Sequence, residues 1–156
     1  MQIKLHWHIH LAAREALAKT TLAAMMTAHV VCPALDPDVP ATLSARVCTE
    51  LLRTEIGFGG LLFSDDLEMK AVADRYSVED AAVAAVRAGC DAILVCSRED
   101  WQDRALEALV LEAERDPAFR LRCSESAGRS LLVRRRTPPR PRPRPVRRFS
   151  RARLGP

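Results

Sequence analysis

Aromatic residues are scarce in this sequence, at 4% of 156 residues. Disulfide and metal signatures are absent too. Five cysteines stand at 32, 48, 90, 96 and 123, an odd count with no C-x-x-C pair. They read as free, buried thiols in a reducing compartment. Cys90 and Cys96 bracket an apolar run and read as small core residues. No stretch reaches the roughly 18 consecutive apolar residues of a membrane span. The opening, "MQIKLHWHIHLAAREALAKT", has neither a clean apolar core nor a small-residue cleavage site, so no signal peptide is expected. These absences lead to the expectation of a cytoplasmic protein with no membrane partner.

What is present is mostly apolar, 48% of the chain, enough for one modest domain with a real core. The net charge of +4 is unevenly placed. Residues 134–156 hold ten arginines and no acid, leaving 14 basic and 20 acidic residues, net −6, in residues 1–133. The body is acidic and the basicity sits in one tail.

Three segments are apolar and strand-like: "LAAMMTAHVV" (22–31), "GGLLFS" (59–64) and "CDAILVCS" (90–97). The last two are short continuous runs, as in strands buried on both faces. Helical patterns lie between them. In "LSARVCTELLRTEIG", Leu43, Val47, Cys48, Leu51 and Leu52 share a face, and Gly57 can end the helix. "SVEDAAVAAVRAG" has Ser77 as N-cap, Asp80 at the capping-box position and Gly89 as a stop. Ser97 and Asp100 repeat the box before a helix over 98–115, with Trp101, Ala105, Ala108 and Leu109 inward. A final helix runs from Asp116-Pro117 to about 133. This alternation predicts a parallel α/β sheet. It suits either part of a (β/α)8 barrel or a small doubly wound sheet. A complete barrel needs roughly 200 residues or more.

The chemistry concentrates in "GGLLFSDDLEM" (59–69), where an apolar strand ends on Asp65 and Asp66. Parallel α/β folds gather functional residues at the C-terminal ends of their strands. A carboxylate there can be a nucleophile, a metal ligand or a general base. Asp66 reads as a cap for the helix beginning "LEMKAVA". Haloacid-type phosphatases also put acids after a strand, but in a D-x-D pattern. A metal pair lacks a third ligand, so no metal or other cofactor is expected.

"MMTAHVVCPALDPDVPATLS", "LLRTEIGFGGLLFSDDLEMKAV" and "AAVAAVRAGCDAILVC" occur in that order. Together they resemble glycoside hydrolase family 3, nearest to its bacterial β-N-acetylglucosaminidases (β-hexosaminidases) of cell-wall recycling. The resemblance spans roughly residues 21–133. It implies a partial (β/α)8, TIM-type barrel comprising about the last three βα units. It also implies retaining cleavage of a terminal β-linked N-acetylglucosamine, with Asp65 as catalytic nucleophile and His29 and Met69 lining the sugar pocket. The implied partner is an N-acetylglucosamine-containing glycoside or muropeptide. The family's general acid is a histidine in a stretch resembling K-H-F-P-G-H-G-D-T, and these 156 residues contain none. The expectation is that this chain alone is a poor catalyst. Exposed strand edges would let an open barrel self-associate.

The two ends differ in character from the body. His6, His8 and His10 in "HWHIH" would share one side of an extended segment, a spacing that can bind zinc, but no supporting carboxylate is nearby. Residues 1–20 are therefore read as an irregular or helical N-terminal segment with no metal assigned. Residues 134–156 read as an Arg/Pro-rich disordered tail. A non-enzymatic alternative makes that tail the functional part, binding nucleic acid or other polyanions. Its only aromatic is Phe149, so nucleic acid is not the expected partner.

Overall fold

The computed structural model describes residues 22–136. The segment with His6, His8 and His10, and the tail from 137, lie outside the described residues. The elements, in chain order, are β1 (Ala24–Met26), β2 (Val31–Cys32), β3 (Asp36–Pro40), a 3-10 turn (Ala41–Leu43), α1 (Arg46–Glu55), β4 (Leu61–Asp66), α2 (Lys70–Ala73), α3 (Val78–Ala88), β5 (Ala92–Leu94), α4 (Glu99–Arg115) and α5 (Pro117–Arg136).

The main sheet has the order β1-β4-β5, and both pairings are parallel. The apolar run of β4 puts it in the centre, with Leu62 fully buried. Ala24, Met25 and Met26 pair with Leu61, Leu62 and Phe63. Gly60 makes the start of this pairing sterically feasible. A Cβ there would lie 2.7 Å from the Leu22 carbonyl oxygen and 2.8 Å from that of Ala23. Helix α3 packs behind the sheet through Val78, Ala81, Ala82 and Ala85, and Leu67, Val72 and Cys90 complete the core. The described residues are a mixed α/β unit with an open parallel sheet. They do not themselves close a barrel.

Several elements depart from the sequence reading. The first strand shrinks to three residues, and Val31 pairs instead in an antiparallel hairpin, β2 with β3. That hairpin was not expected: "CPALDPDVP", with three prolines and two aspartates, has no element assigned to it between the first strand and the first helix. Helix α1 is wound with i→i+5 bonds, Ile56 N–H to Leu51 among them, and Leu43 sits before it in the 3-10 turn. The Ser97–Asp100 box does not form. Arg98 takes the N-cap position, and the Ser97 hydroxyl turns to Glu68 instead. Helix α5 continues through Arg134, Arg135 and Arg136, residues assigned to the tail. Arginine is a good helix former, and no proline intervenes before Pro138.

The cysteines are all free, but only Cys48 and Cys90 are buried; Cys32 and Cys123 are partly covered. Cys96 is exposed, not a core residue. The strand it was placed in ends at Leu94, which puts it in the loop beyond the sheet. No helix among the described residues is long and apolar enough to cross a membrane.

Candidate active site

Asp65 and Asp66 are the last two residues of β4, so the strand carries both acids at its C-terminal end. A β-bulge lies just before them. Phe63 pairs with Ala92 and Asp66 with Leu94, so β4 spends one more residue than β5 over this stretch. The buried Ser64 hydroxyl fills the gap in the ladder by accepting the Leu94 amide at 2.9 Å. Bulges bend a strand and re-aim the side chains beside them. The serine of "SDD" thus supports the geometry of the first aspartate.

The two carboxylates are employed differently. Asp65 Oδ1 accepts the amide of Asp66 at 2.9 Å. Its other oxygen receives no donor from the described residues. Asp66 Oδ1 accepts the Glu68 amide at 3.1 Å, and its carbonyl accepts the Met69 amide at 3.0 Å. Asp66 therefore shapes the turn into α2, while Asp65 keeps a half-covered carboxylate at the strand end.

His29 lies three residues past β1, at the same end of the sheet. Its Nε2 is 2.9 Å from the Asp66 carbonyl oxygen and its Nδ1 is 2.9 Å from Thr42 Oγ1. Met69 occupies the N-cap position of α2 and is 46% exposed. The three residues singled out from the sequence thus gather at one end of the sheet.

Neighbours that the sequence reading missed complete the rim. Glu68 spans from the β4 loop to the β5 loop, where its carboxylate accepts the Ser97 hydroxyl, the Ser97 amide at 3.1 Å and the Arg98 amide at 2.7 Å. The Ser97 hydroxyl, with these amides and the Arg98 charge, holds the Glu68 carboxyl below the usual range. Arg98 stacks over Trp101 at 4.5 Å and pairs with Asp100 at 2.8 Å. Desolvation and the carboxylates of Asp66, Glu68 and Asp65 push the Cys96 thiol up. Acids three residues apart on a strand–loop junction gave no sequence signal for a bridge to another loop. Among the described residues no three His, Cys, Asp or Glu side chains gather as a metal site.

Against known proteins, the family described as Glycosyl hydrolase family 3 N terminal domain matches residues 7–118. The match begins well before residue 21, so it takes in His8 and His10, which the sequence reading left outside the resemblance. A beta-hexosaminidase of Nitrosomonas eutropha is 42% identical over 93 residues, 60% of this chain and 26% of that protein. One from Alkalilimnicola ehrlichii is 40% identical over 116 residues, 74% of this chain and 32% of that protein. The solved structure of a glycoside hydrolase family 3 beta-N-acetylglucosaminidase from Paenibacillus sp. FPU-7 superposes with a TM-score of 0.72 at 43% identity, covering 79% of this chain and 23% of that one. The chain thus spans between 23% and 32% of the length of these three relatives.

Proposed function

This chain belongs to glycosyl hydrolase family 3, and from that premise we propose that it carries the nucleophile half of a retaining β-N-acetylglucosaminidase site. The described sheet corresponds to about the last three βα units of a (β/α)8 barrel. Asp65 is the nucleophile, and the partner is a glycoside or muropeptide ending in β-linked N-acetylglucosamine. His29 and Met69 line the sugar site, His29 through its ring edge because both nitrogens are engaged.

The observation that carries this reading is the division of labour in the Asp pair. A retaining glycosidase needs one ionised carboxylate free to attack the anomeric carbon. Asp66 is spent on the turn, and Asp65 is oriented by a single amide. In the reaction, an Asp65 oxygen bonds to the anomeric carbon and the glycosidic C–O bond breaks. The leaving oxygen takes a proton from a general acid, and water then cleaves the glycosyl ester with retention. Glu68 is unsuited to that acid role, since its carboxylate is filled by donors and held ionised. General acid catalysis is typically worth about 10²- to 10⁴-fold, so turnover by this chain alone is expected to be slow and best seen with an aryl leaving group.

The test is an aryl β-N-acetylglucosaminide assay with mass analysis of the trapped intermediate. The expected result is a trace of activity that disappears in Asp65→Ala and persists in Asp66→Asn, with the N-acetylhexosaminyl adduct on the peptide holding Asp65. Undiminished turnover in Asp65→Ala, or an adduct on another carboxylate, would overturn the assignment.

A further inference from the structure

The Asp65 carboxylate takes its orientation from the backbone of Asp66, which is held at both ends. The Asp66 amide donates to Asp65 Oδ1 at 2.9 Å. Its carbonyl oxygen lies 2.9 Å from His29 Nε2 and also accepts the Met69 amide at 3.0 Å. We infer that His29 is a positioning residue that fixes the Asp66 backbone, and through it the Asp65 carboxylate, and is not a hydrogen-bonding ligand of the sugar. The inference rests on Asp65 being the nucleophile.

A carbonyl oxygen can only accept, so Nε2 must carry a hydrogen. The opposite nitrogen faces the hydroxyl of Thr42, a fully buried residue in the 3-10 turn after β3. Thr42 Oγ1 is in turn 2.9 Å from Thr27 Oγ1, and Thr27 donates to the Phe63 carbonyl at 3.3 Å. The imidazole is thereby gripped from three places: the loop after β1, the turn after β3 and the end of β4. Both nitrogens are committed to the protein, so neither is left for a sugar hydroxyl. What the ring supplies is a fixed N–H at the one carbonyl on which the turn beyond Asp65 closes. Without that donor the Asp66 carbonyl keeps only the Met69 amide, and the Leu67 amide keeps its bond to the Leu94 carbonyl at 3.0 Å, so the Asp66–Leu67 peptide is held less tightly and the Asp66 backbone that orients Asp65 loosens with it.

Two variants separate positioning from sugar binding. His29→Phe fills the space and removes both contacts. His29→Gln keeps an N–H donor at a reach comparable to Nε2. Folding of each is checked by far-UV circular dichroism. Amide hydrogen exchange at Glu68 and Met69 is expected to rise about tenfold in His29→Phe, a loss on the scale of one hydrogen bond, and to stay near wild type in His29→Gln. Wherever turnover is measurable, kcat falls and KM holds in His29→Phe, with recovery in His29→Gln. In the wild-type chain, the His29 Nε2–H NMR signal should be unmoved by added N-acetylglucosamine. Wild-type exchange rates in a folded His29→Phe variant, or loss of the Nε2–H signal on adding the sugar, would overturn the inference. Exchange does not depend on turnover, so that failure is distinct from failure of the nucleophile assignment, which appears as undiminished turnover in Asp65→Ala or as an adduct on another carboxylate.

Discussion

Asp91 is the buried acid that organises the end of the sheet opposite the site. Its side chain is wholly covered, yet three arginines reach it: Arg53 from α1, and Arg122 and Arg129 from α5, the last two at 2.8 and 2.9 Å. It also accepts the Leu62 amide at 2.9 Å. Burial pushes its carboxyl up, but the Arg122 and Leu62 hydrogen bonds and the charges of Arg53 and Arg122 outweigh that and hold it below its usual value. None of this was legible beforehand, because the four residues lie up to 76 positions apart, from Arg53 to Arg129. Asp65 drew attention in the sequence because a carboxylate closing an apolar run stands out, and the family resemblance then proposed its role. Asp91 opens such a run just as visibly, but its partners lie on helices with no local mark. Asp91→Asn leaves three guanidiniums around a neutral group and should cost about 3 kcal/mol in urea unfolding, the low end for breaking a buried pair. The folded value is depressed, so the carboxylate's contribution is full above its unfolded value and lost as pH falls through the folded one. Wild type should therefore lose stability below about pH 4, and the gap between wild type and Asp91→Asn should narrow there. Equal stabilities at neutral pH would show that the ring of arginines holds nothing.

At the scale of elements, legibility followed how local the determinant is. Helix α3 formed where expected, because its signals are within reach of one another. Ser77 Oγ accepts the Asp80 amide at 3.1 Å, and Gly89 follows at φ +130°. The box before α4 has the same letters and fails, since Glu68 competes for Ser97 and wins with three donors on one carboxylate. Local pattern could not foresee a competitor 29 residues away. The i→i+5 winding of α1 was equally hidden, because over ten residues the wider winding still leaves Cys48 and Leu52 near one face. These differences predict unequal responses to substitution. Ser77→Ala should lower stability by about 1 kcal/mol, while Ser97→Ala should leave α4 helicity intact and loosen the Glu68 bridge. Gly89→Ala is harsher. Its Cβ would meet Thr49 Oγ1 at 2.7 Å and Cys48 Cβ at 3.1 Å, in a backbone region that side chains rarely adopt. A loss of about 2 kcal/mol or more is expected in thermal or urea unfolding. A neutral Gly89→Ala would mean that the α3–β5 turn can relax in a way the packing of Cys48 does not suggest.

At the scale of the molecule, the parallel order of the sheet was readable and its open outline was only inferred. Among the described residues β1 and β5 each have a strand neighbour on one side only. Unpaired strand edges are templates for pairing with another chain. The outer helices add to this, with Leu106, Val110 and Leu111 exposed on α4 and Leu121, Leu131 and Leu132 exposed on α5. Their spacing along α4 leaves a strip of apolar surface between charged residues, and exposed apolar surface of this kind tends to be covered. The surface charges oppose no particular geometry, because Arg104–Glu79 and Arg87–Asp116 already pair across α3 and α4. The expected outcome is self-association that grows with protein concentration and persists in high salt, since salt screens exposed ion pairs and strengthens rather than weakens apolar burial when the salt is kosmotropic. Sedimentation velocity at rising concentration, in low salt and in sulfate, reads this directly. Charged substitutions at Leu106 and Val110 should move the distribution toward monomer without changing the circular dichroism spectrum. A single monomeric boundary at high concentration in sulfate would show that these edges and faces do not drive self-association.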